Sequence, residues 1–201
     1  MTFVIGLTGS IGMGKSTTAK LFAEFGCATW EADEAVHRLY RKKGAAVEPI
    51  SNVFPSVIVN GAVSREKLKN ILLQEPSAFS KLEKIIHPLV ASDRASFIEK
   101  NIADIVVLEI PLLFETGEEK NVDAVVCVVS DEITQKQRVF ARGTMTEDQL
   151  LQILARQMPI DKKLKKSDFV INTDNINLAR EQVSKTLKKI YNRLKNARNR
   201  S

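Results

Sequence analysis

Cysteine is scarce in this chain: Cys27 and Cys127 are the two in 201 residues, and each sits in an apolar run that reads as a strand. That placement predicts buried free thiols in a reducing compartment and argues against a disulfide scaffold. Long hydrophobic runs are missing too. No uncharged apolar stretch approaches the roughly 18 residues of a membrane span, so a transmembrane helix is excluded and a cytoplasmic protein without a membrane partner is expected. The first residues lack the basic start of a signal peptide, and their apolar run is too short for an h-region. Internal repeats and low-complexity segments are absent. Two strings that a regulatory GTPase needs, Asn-Lys-x-Asp and Asp-x-x-Gly, do not occur.

An evenly spread positive charge is also lacking. The net charge is +6, yet the stretch from Arg180 to Ser201 holds eight of the 30 Lys/Arg residues and one of the 24 Asp/Glu residues. The rest of the chain, with 22 basic and 23 acidic residues, is neutral, which argues against a nucleic-acid machine. Within the tail, Val183, Leu187, Ile190, Tyr191 and Leu194 fall on one helix face, so the basic residues read as its solvated side. Nothing in the pattern sets an oligomeric state.

What is present is concentrated near the start. Gly9 to Ser16 read Gly-Ser-Ile-Gly-Met-Gly-Lys-Ser, a complete G-x-x-x-x-G-K-[ST] phosphate loop. The apolar run Phe3–Leu7 before it reads as a buried strand, and Thr17–Phe25 after it reads as a helix that Gly26 ends. The glycines let successive backbone N–H groups turn toward phosphate oxygens where a Cβ would clash. The positive end of the helix points at the same place. Gly9, Gly12, Met13, Gly14, Lys15, Ser16 and Thr17 are therefore expected to bind the phosphates of a nucleoside triphosphate. Lys15 should reach the β- and γ-phosphates, and the Ser16 hydroxyl should ligate Mg²⁺.

Four more short apolar runs read as strands: Cys27–Trp30, Asp104–Ile110, Asp123–Val129 and Asp168–Ile171. Helical patterns separate them, as in an α/β protein whose five-stranded parallel sheet is covered on both faces. The fold class expected is the P-loop NTPase type, with a helical substrate-binding insertion and a helical lid. The core is about 1–33, 102–130 and 167–201, the acceptor lobe about 34–101 and the lid about 131–166. In the lobe, Asp33–Lys43 and Ala45–Val53 read as helices. Ser64 reads as the cap of Arg65–Leu73, and Pro76 opens a helix to Ile86 that Pro88 should break or bend. In the lid, Ser130 and Asp131 start a helix carrying Arg138 and Arg142 one turn apart. Gly143-Thr144 interrupts the chain, and Thr146 to Gln149 form a capping box for a second helix.

Ligands of such sheets bind at the carboxyl ends of the strands. The second strand ends in Glu31-Ala32-Asp33, which alternation puts on one side if the extended conformation persists. A carboxylate there can take a proton from an attacking hydroxyl or hold a metal-bound water, although Asp33 could equally cap the next helix. The third strand ends in Glu109, as in a Walker B strand. Pro111–Glu115 reads as a tight, mostly structural apolar segment. Arg138 and Arg142 are candidates to neutralise charge during phosphoryl transfer; the alternative for each is a surface ion pair.

Read in order, Gly6 to Ser16, Glu31-Ala32-Asp33, His87-Pro88-Leu89-Val90, Ile110 to Glu115, Arg156-Gln157-Met158-Pro159 and Asp168 to Asn172 closely resemble the dephospho-CoA kinase family over residues 3 to 190. The resemblance implies transfer of the γ-phosphate of ATP to the ribose 3′-hydroxyl of dephospho-CoA, the last step of coenzyme A synthesis. It makes Asp33 the general base, puts Arg65 and His87 with the acceptor substrate, and makes the helix of Arg138 and Arg142 a lid. It also sets the loop from Asn172 beside the adenine. Without it, His87 would read as a buried histidine. Glu31 and Glu109, expected to touch the metal through water, stand where the family usually and often, respectively, has Asp. Gly143 follows Arg142 where Asp or Asn is common.

Overall fold

The computed structural model describes residues 2–143 and 145–198. Thr144 of the helix-breaking pair and residues 199–201 of the basic tail lie outside them. Strand β1 (Phe3–Thr8) runs through the glycine loop into α1 (Lys15–Glu24), and β2 (Ala28–Glu31) follows. Gly26, at φ +88°, turns left-handed and closes α1. Its N–H reaches Ala23 O at 2.9 Å, and Cys27 N–H reaches Phe22 O at 3.1 Å, the bond pair of a Schellman stop. Next come α2 (Ala32–Tyr40), α3 (Val47–Val53), a hairpin of β3 (Ile58–Val59) and β4 (Ala62–Val63), α4 (Arg65–Gln74) and α5 (Pro76–Lys100). The chain continues through β5 (Ile105–Glu109) and β6 (Ala124–Val129). Then come α6 (Glu132–Phe140), α7 (Glu147–Arg156), α8 (Ile160–Lys166), β7 (Phe169–Asn172) and α9 (Ile176–Arg198).

Five strands form one parallel sheet in the order β2-β5-β1-β6-β7. Leu7 of β1 lies between Glu109 of β5 and Val126 of β6, so the phosphate loop leaves the middle of the sheet at its carboxyl edge. Burial on both faces explains why the strands read as continuous apolar runs. Ile5, Leu7, Val107, Val126, Val128 and Ile171 pack with Phe22 of α1 and with Val183, Leu187 and Ile190 of α9. Each such large side chain contributes about 1.5–3 kcal/mol when fully buried. Of the apolar face read in the tail, Tyr191 is the exception, being 43% exposed.

The chain forms two compact units, Met1–Thr29 with Ile102–Ser201, and Trp30–Asn101. The second has its own core, in which Leu39, Ile50, Phe54, Val57, Leu68 and Leu82 are buried together. Asp93 of α5 accepts from Trp30 Nε1 at 2.7 Å and pairs with Arg38 of α2 at 2.5 Å. Burial opposes its charge, but the hydrogen bonds from Arg38 and Trp30 prevail and hold the carboxyl below the usual range. Among the described residues no helix is long and apolar enough to cross a membrane.

Several elements differ from the sequence reading. Pro88 does not break its helix: α5 runs on to Lys100. An internal proline costs about 3 kcal/mol, and Ile85, Ile86, Leu89 and Val90 on both sides of it pack on the second core and override that cost. The hairpin β3–β4 was not expected, although its Asn60-Gly61 turn, with φ +52° and +78°, is a strong type I′ signal. The extended conformation stops at Glu31, so Glu31 and Asp33 do not continue one alternating edge; Asp33 lies in the first turn of α2. Arg142 is not in a helix with Arg138, because α6 ends at Phe140 and left-handed Gly143, φ +64°, closes the turn. The capping box at Thr146 and Gln149 forms as expected.

Candidate active site

The phosphate loop is shaped by close approach as much as by conformation. A Cβ on Gly9 would stand 2.6 Å from Val128 Cγ2 and 2.7 Å from Val128 O of β6. At Gly12, φ is +78°, and a Cβ would meet Val139 Cγ2 at 2.7 Å and Gln135 O at 2.9 Å, both on α6. Gly14, in the left-handed region, is the N-cap of α1 and supplies no side-chain cap to the amide groups that open the helix. Those amide groups and the positive end of α1 make an anion cradle.

Lys15 folds back over the loop, its Nζ donating to Gly9 O at 3.0 Å and Ser10 O at 3.2 Å. Ser16 Oγ donates to Glu109 Oε1 at 3.0 Å, joining the start of α1 to the end of β5. A hydroxyl and a nearly buried carboxylate meeting at a phosphate cradle are hard oxygen donors of the kind Mg²⁺ takes. Among the described residues no group of three His, Cys, Asp or Glu side chains gathers as a metal cage.

Beside the loop opens a cavity of about 550 Å³, lined among others by Gly12, Gly14, Thr17, Arg138, Arg142 and Asp174. Arg138 donates through Nη1 to Thr173 Oγ1 at 2.9 Å and through Nη2 to the Thr173 carbonyl. Thr173 Oγ1 also donates to Met13 O at 3.0 Å. One threonine thus ties the arginine to the loop. Asp174 accepts from Ser130 Oγ at 2.7 Å and Asp131 N–H at 3.0 Å. The Ser130 hydroxyl outweighs burial and, with help from Asp131 and Asn172, holds that carboxyl below its usual range. Asn172 itself is not in the lining; its Nδ2 donates to Asp174 Oδ2 at 2.8 Å. The loop after β7 reaches the cavity through Thr173 and Asp174. A second cavity of about 440 Å³ touches Ser10, Met13, Leu151, Leu154, Met158 and Ile160.

The remaining candidates belong to the Trp30–Asn101 unit. Glu31 is half-buried and is the N-cap residue of α2, while Asp33, exposed in the first turn, makes no side-chain hydrogen bond or ion pair among the described residues. Asp33 is therefore not the helix cap. Arg65 opens α4 with its guanidinium 6.0 Å from the centroid of the Tyr40 ring. Burial raises the Tyr40 phenol, with Arg65 pulling the other way. His87 is not the buried histidine that its sequence alone suggested: its side chain is 64% exposed, with Nε2 4.0 Å from Glu83 one turn earlier on α5.

Sequence reasoning missed Thr173, Gln135, Gln157 and the pair Lys163–Glu115. Lys163 is fully buried, with Nζ 2.9 Å from Glu115 Oε1. Glu115, read as part of a structural segment, also accepts Met158 N–H at 2.7 Å. A charged residue ending an otherwise apolar Pro111–Phe114 run was the available signal. Both cysteines are buried free thiols, and burial pushes each up to about 11.

A family model described as dephospho-CoA kinase matches residues 3–179. The dephospho-CoA kinase of Ruegeria pomeroyi is 56% identical over 190 residues, 94% of this chain and 96% of the relative. The crystal structure of TT1252 from Thermus thermophilus superposes with a TM-score of 0.82 at 29% identity, covering 94% of this chain and 97% of that one. Dephospho-CoA kinase from Campylobacter jejuni follows at 0.68 and 25%, covering 94% and 98%.

Proposed function

The chain belongs to the dephospho-CoA kinase family and acts as a kinase on dephospho-CoA; from that premise we propose which of its residues carry the transfer. The reaction moves the γ-phosphate of ATP to the ribose 3′-hydroxyl and yields coenzyme A and ADP. The observation that carries the assignment is the Gly9–Ser16 loop, with Lys15 folded over it and Ser16 bonded to Glu109 beside a cavity lined by Arg138 and Arg142.

In this reading the loop amides hold the phosphates and Lys15 follows the β- and γ-oxygens. The chemistry demands little covalent work from the protein, so positioning and charge neutralisation dominate. Arg138, preset by Thr173, and Arg142, in the turn after α6, stabilise the charge on the phosphoryl group in flight. Asp33 accepts the proton of the 3′-hydroxyl as it attacks. Its exposed carboxylate is free of competing partners among the described residues, as a base for an incoming hydroxyl requires. Arg65 and His87 bind the acceptor, and the loop from Asn172 borders the adenine. Ser16 would hold Mg²⁺ directly, with Glu109 and Glu31 acting through water, and the ion would supply positive charge to offset that of the phosphates. Two buried thiols with raised pKa suit a reducing cytoplasm.

The test is ATP-dependent conversion of dephospho-CoA in Mg²⁺ buffer, with adenosine and AMP as control acceptors. Formation of coenzyme A with little turnover of the controls is expected. Brisk phosphorylation of a control without coenzyme A would overturn the acceptor assignment while leaving the phosphate loop its role.

A further inference from the structure

The phosphate loop is held by more than its glycines. The Ile11 peptide is gripped on both sides: its N–H donates to Gln157 Oε1 at 3.2 Å, and its carbonyl accepts from Gln135 Nε2 at 2.6 Å. Both glutamines come from the helical block after β6. Gln135 is buried within α6, and Gln157 is the residue that caps the end of α7.

Gln157 is itself fixed from behind. The next peptide N–H, that of Met158, donates to Glu115 Oε1, and the same oxygen receives Lys163 Nζ. Lys163 is wholly buried and also donates to Pro111 O at 3.0 Å. An ammonium group taken out of water is costly even when paired. Phosphoryl transfer as described above makes no use of it. Its effect is to immobilise Glu115, and with it the turn that presents Gln157.

Lys15 shows which end of the loop is gripped. Its Nζ lies against the Gly9 and Ser10 carbonyls, and a phosphate-loop lysine serves the β- and γ-phosphates. The Gly9–Ile11 half therefore faces the γ-phosphate, while Gly14 to Ser16 at the start of α1 face the inner phosphates. A peptide displaced at the γ-end misaligns the group being transferred without disturbing the bonds that ADP makes.

We propose that Gln157, assisted by Gln135, is a positioning residue for phosphoryl transfer that sets the Ile11 peptide at the γ-phosphate end of the loop, and that the buried Lys163–Glu115 pair anchors it. The inference rests on reading this loop as the ATP site.

Gln157→Met keeps the length of the side chain and removes the acceptor. It should lower kcat about tenfold to a hundredfold, the scale set by small misplacements of reacting groups. The KM for dephospho-CoA and the Kd for ADP should stay within twofold. Glu115→Gln should act in the same direction, and added to Gln157→Met it should cost less than a further twofold, because it works through the same residue. A kcat loss below fivefold in Gln157→Met, or an equal loss of ADP affinity, overturns the positioning role. A further fivefold loss in the double variant overturns the anchor. Lys15→Ala run alongside separates the two levels. If it leaves turnover intact, the ATP-site reading falls; if it abolishes turnover while Gln157→Met is silent, this inference alone falls.

Discussion

The phosphate loop and the Trp30–Asn101 unit present their functional side chains in opposite ways. Around the loop nearly every candidate is already engaged: Lys15 on two carbonyls, Ser16 on Glu109, Arg138 on Thr173. In the other unit Asp33 and His87 are exposed, on helices that contribute buried residues to a separate core. A site for polyphosphate works by preset dipoles and charges, and order there lowers reorganisation during the reaction. A proton acceptor and a binder of an incoming hydroxyl have to be reachable. The contrast is that of a preformed cradle and a surface awaiting its substrate.

The largest test of that contrast is Lys15→Ala, which should abolish measurable transfer and weaken ATP binding; retention of a tenth of the parent activity would contradict it. Asp33→Asn comes next. It should cut kcat about 10²–10⁴-fold, as for loss of a general base, with the Kd for ATP unchanged in a direct binding measurement. If ATP binding fails instead, Asp33 belongs to the cradle and the two regions do not divide the work. Thr173→Val, which releases Arg138 from its preset position, should weaken ATP binding about tenfold, the scale of one lost hydrogen bond to a charged group. His87→Asn should raise the KM for dephospho-CoA by about fivefold without moving kcat, since truncating one exposed contact costs on the order of 1 kcal/mol. Equal effects of the last two on ATP and acceptor would erase the comparison.

The smallest expected effect is on stability, and it also separates the regions. Both thiols lie in the unit that holds the loop, and burial raises each from 9.0 to about 11. The folded state therefore keeps the proton more tightly, so this contribution is complete below pH 9 and is lost as pH rises through 11. The Trp30–Asn101 unit has no cysteine, and its buried phenol, Tyr40, is raised from 10.0, so its loss begins about one unit later. Amide exchange followed from pH 8 to 11 should loosen β6, around Cys127, before α2. Simultaneous loosening would show that the thiols do not lead.

Much of the cradle was legible because its signals are local. The loop string, the strand before it, Gly26 as a stop and the capping box at Thr146 are each written within a few neighbouring residues. The helix through Pro88 was not legible, because packing on both sides of the proline outweighed a local preference. The Arg142 turn was misread because left-handed Gly143 ends α6 two residues before it. The Asn60-Gly61 hairpin was written plainly but is only two residues long per strand, too short to compete with the helical patterns around it. Thr173 was not legible because its partners, Arg138 and Met13, are distant in sequence.

Taken alone, the amino-acid sequence determined the alternation of strands and helices, the phosphate loop and the family, since periodicity, turn residues and a contiguous motif are properties of short stretches. Only the tertiary structure decided which side chains hold that loop in place. Gln157 meets Ile11 across 146 residues and Gln135 across 124, and a buried lysine finds its carboxylate on another segment. Such pairs carry no periodic signature. They form where the sheet brings distant strand ends together and burial leaves each polar group few partners within reach.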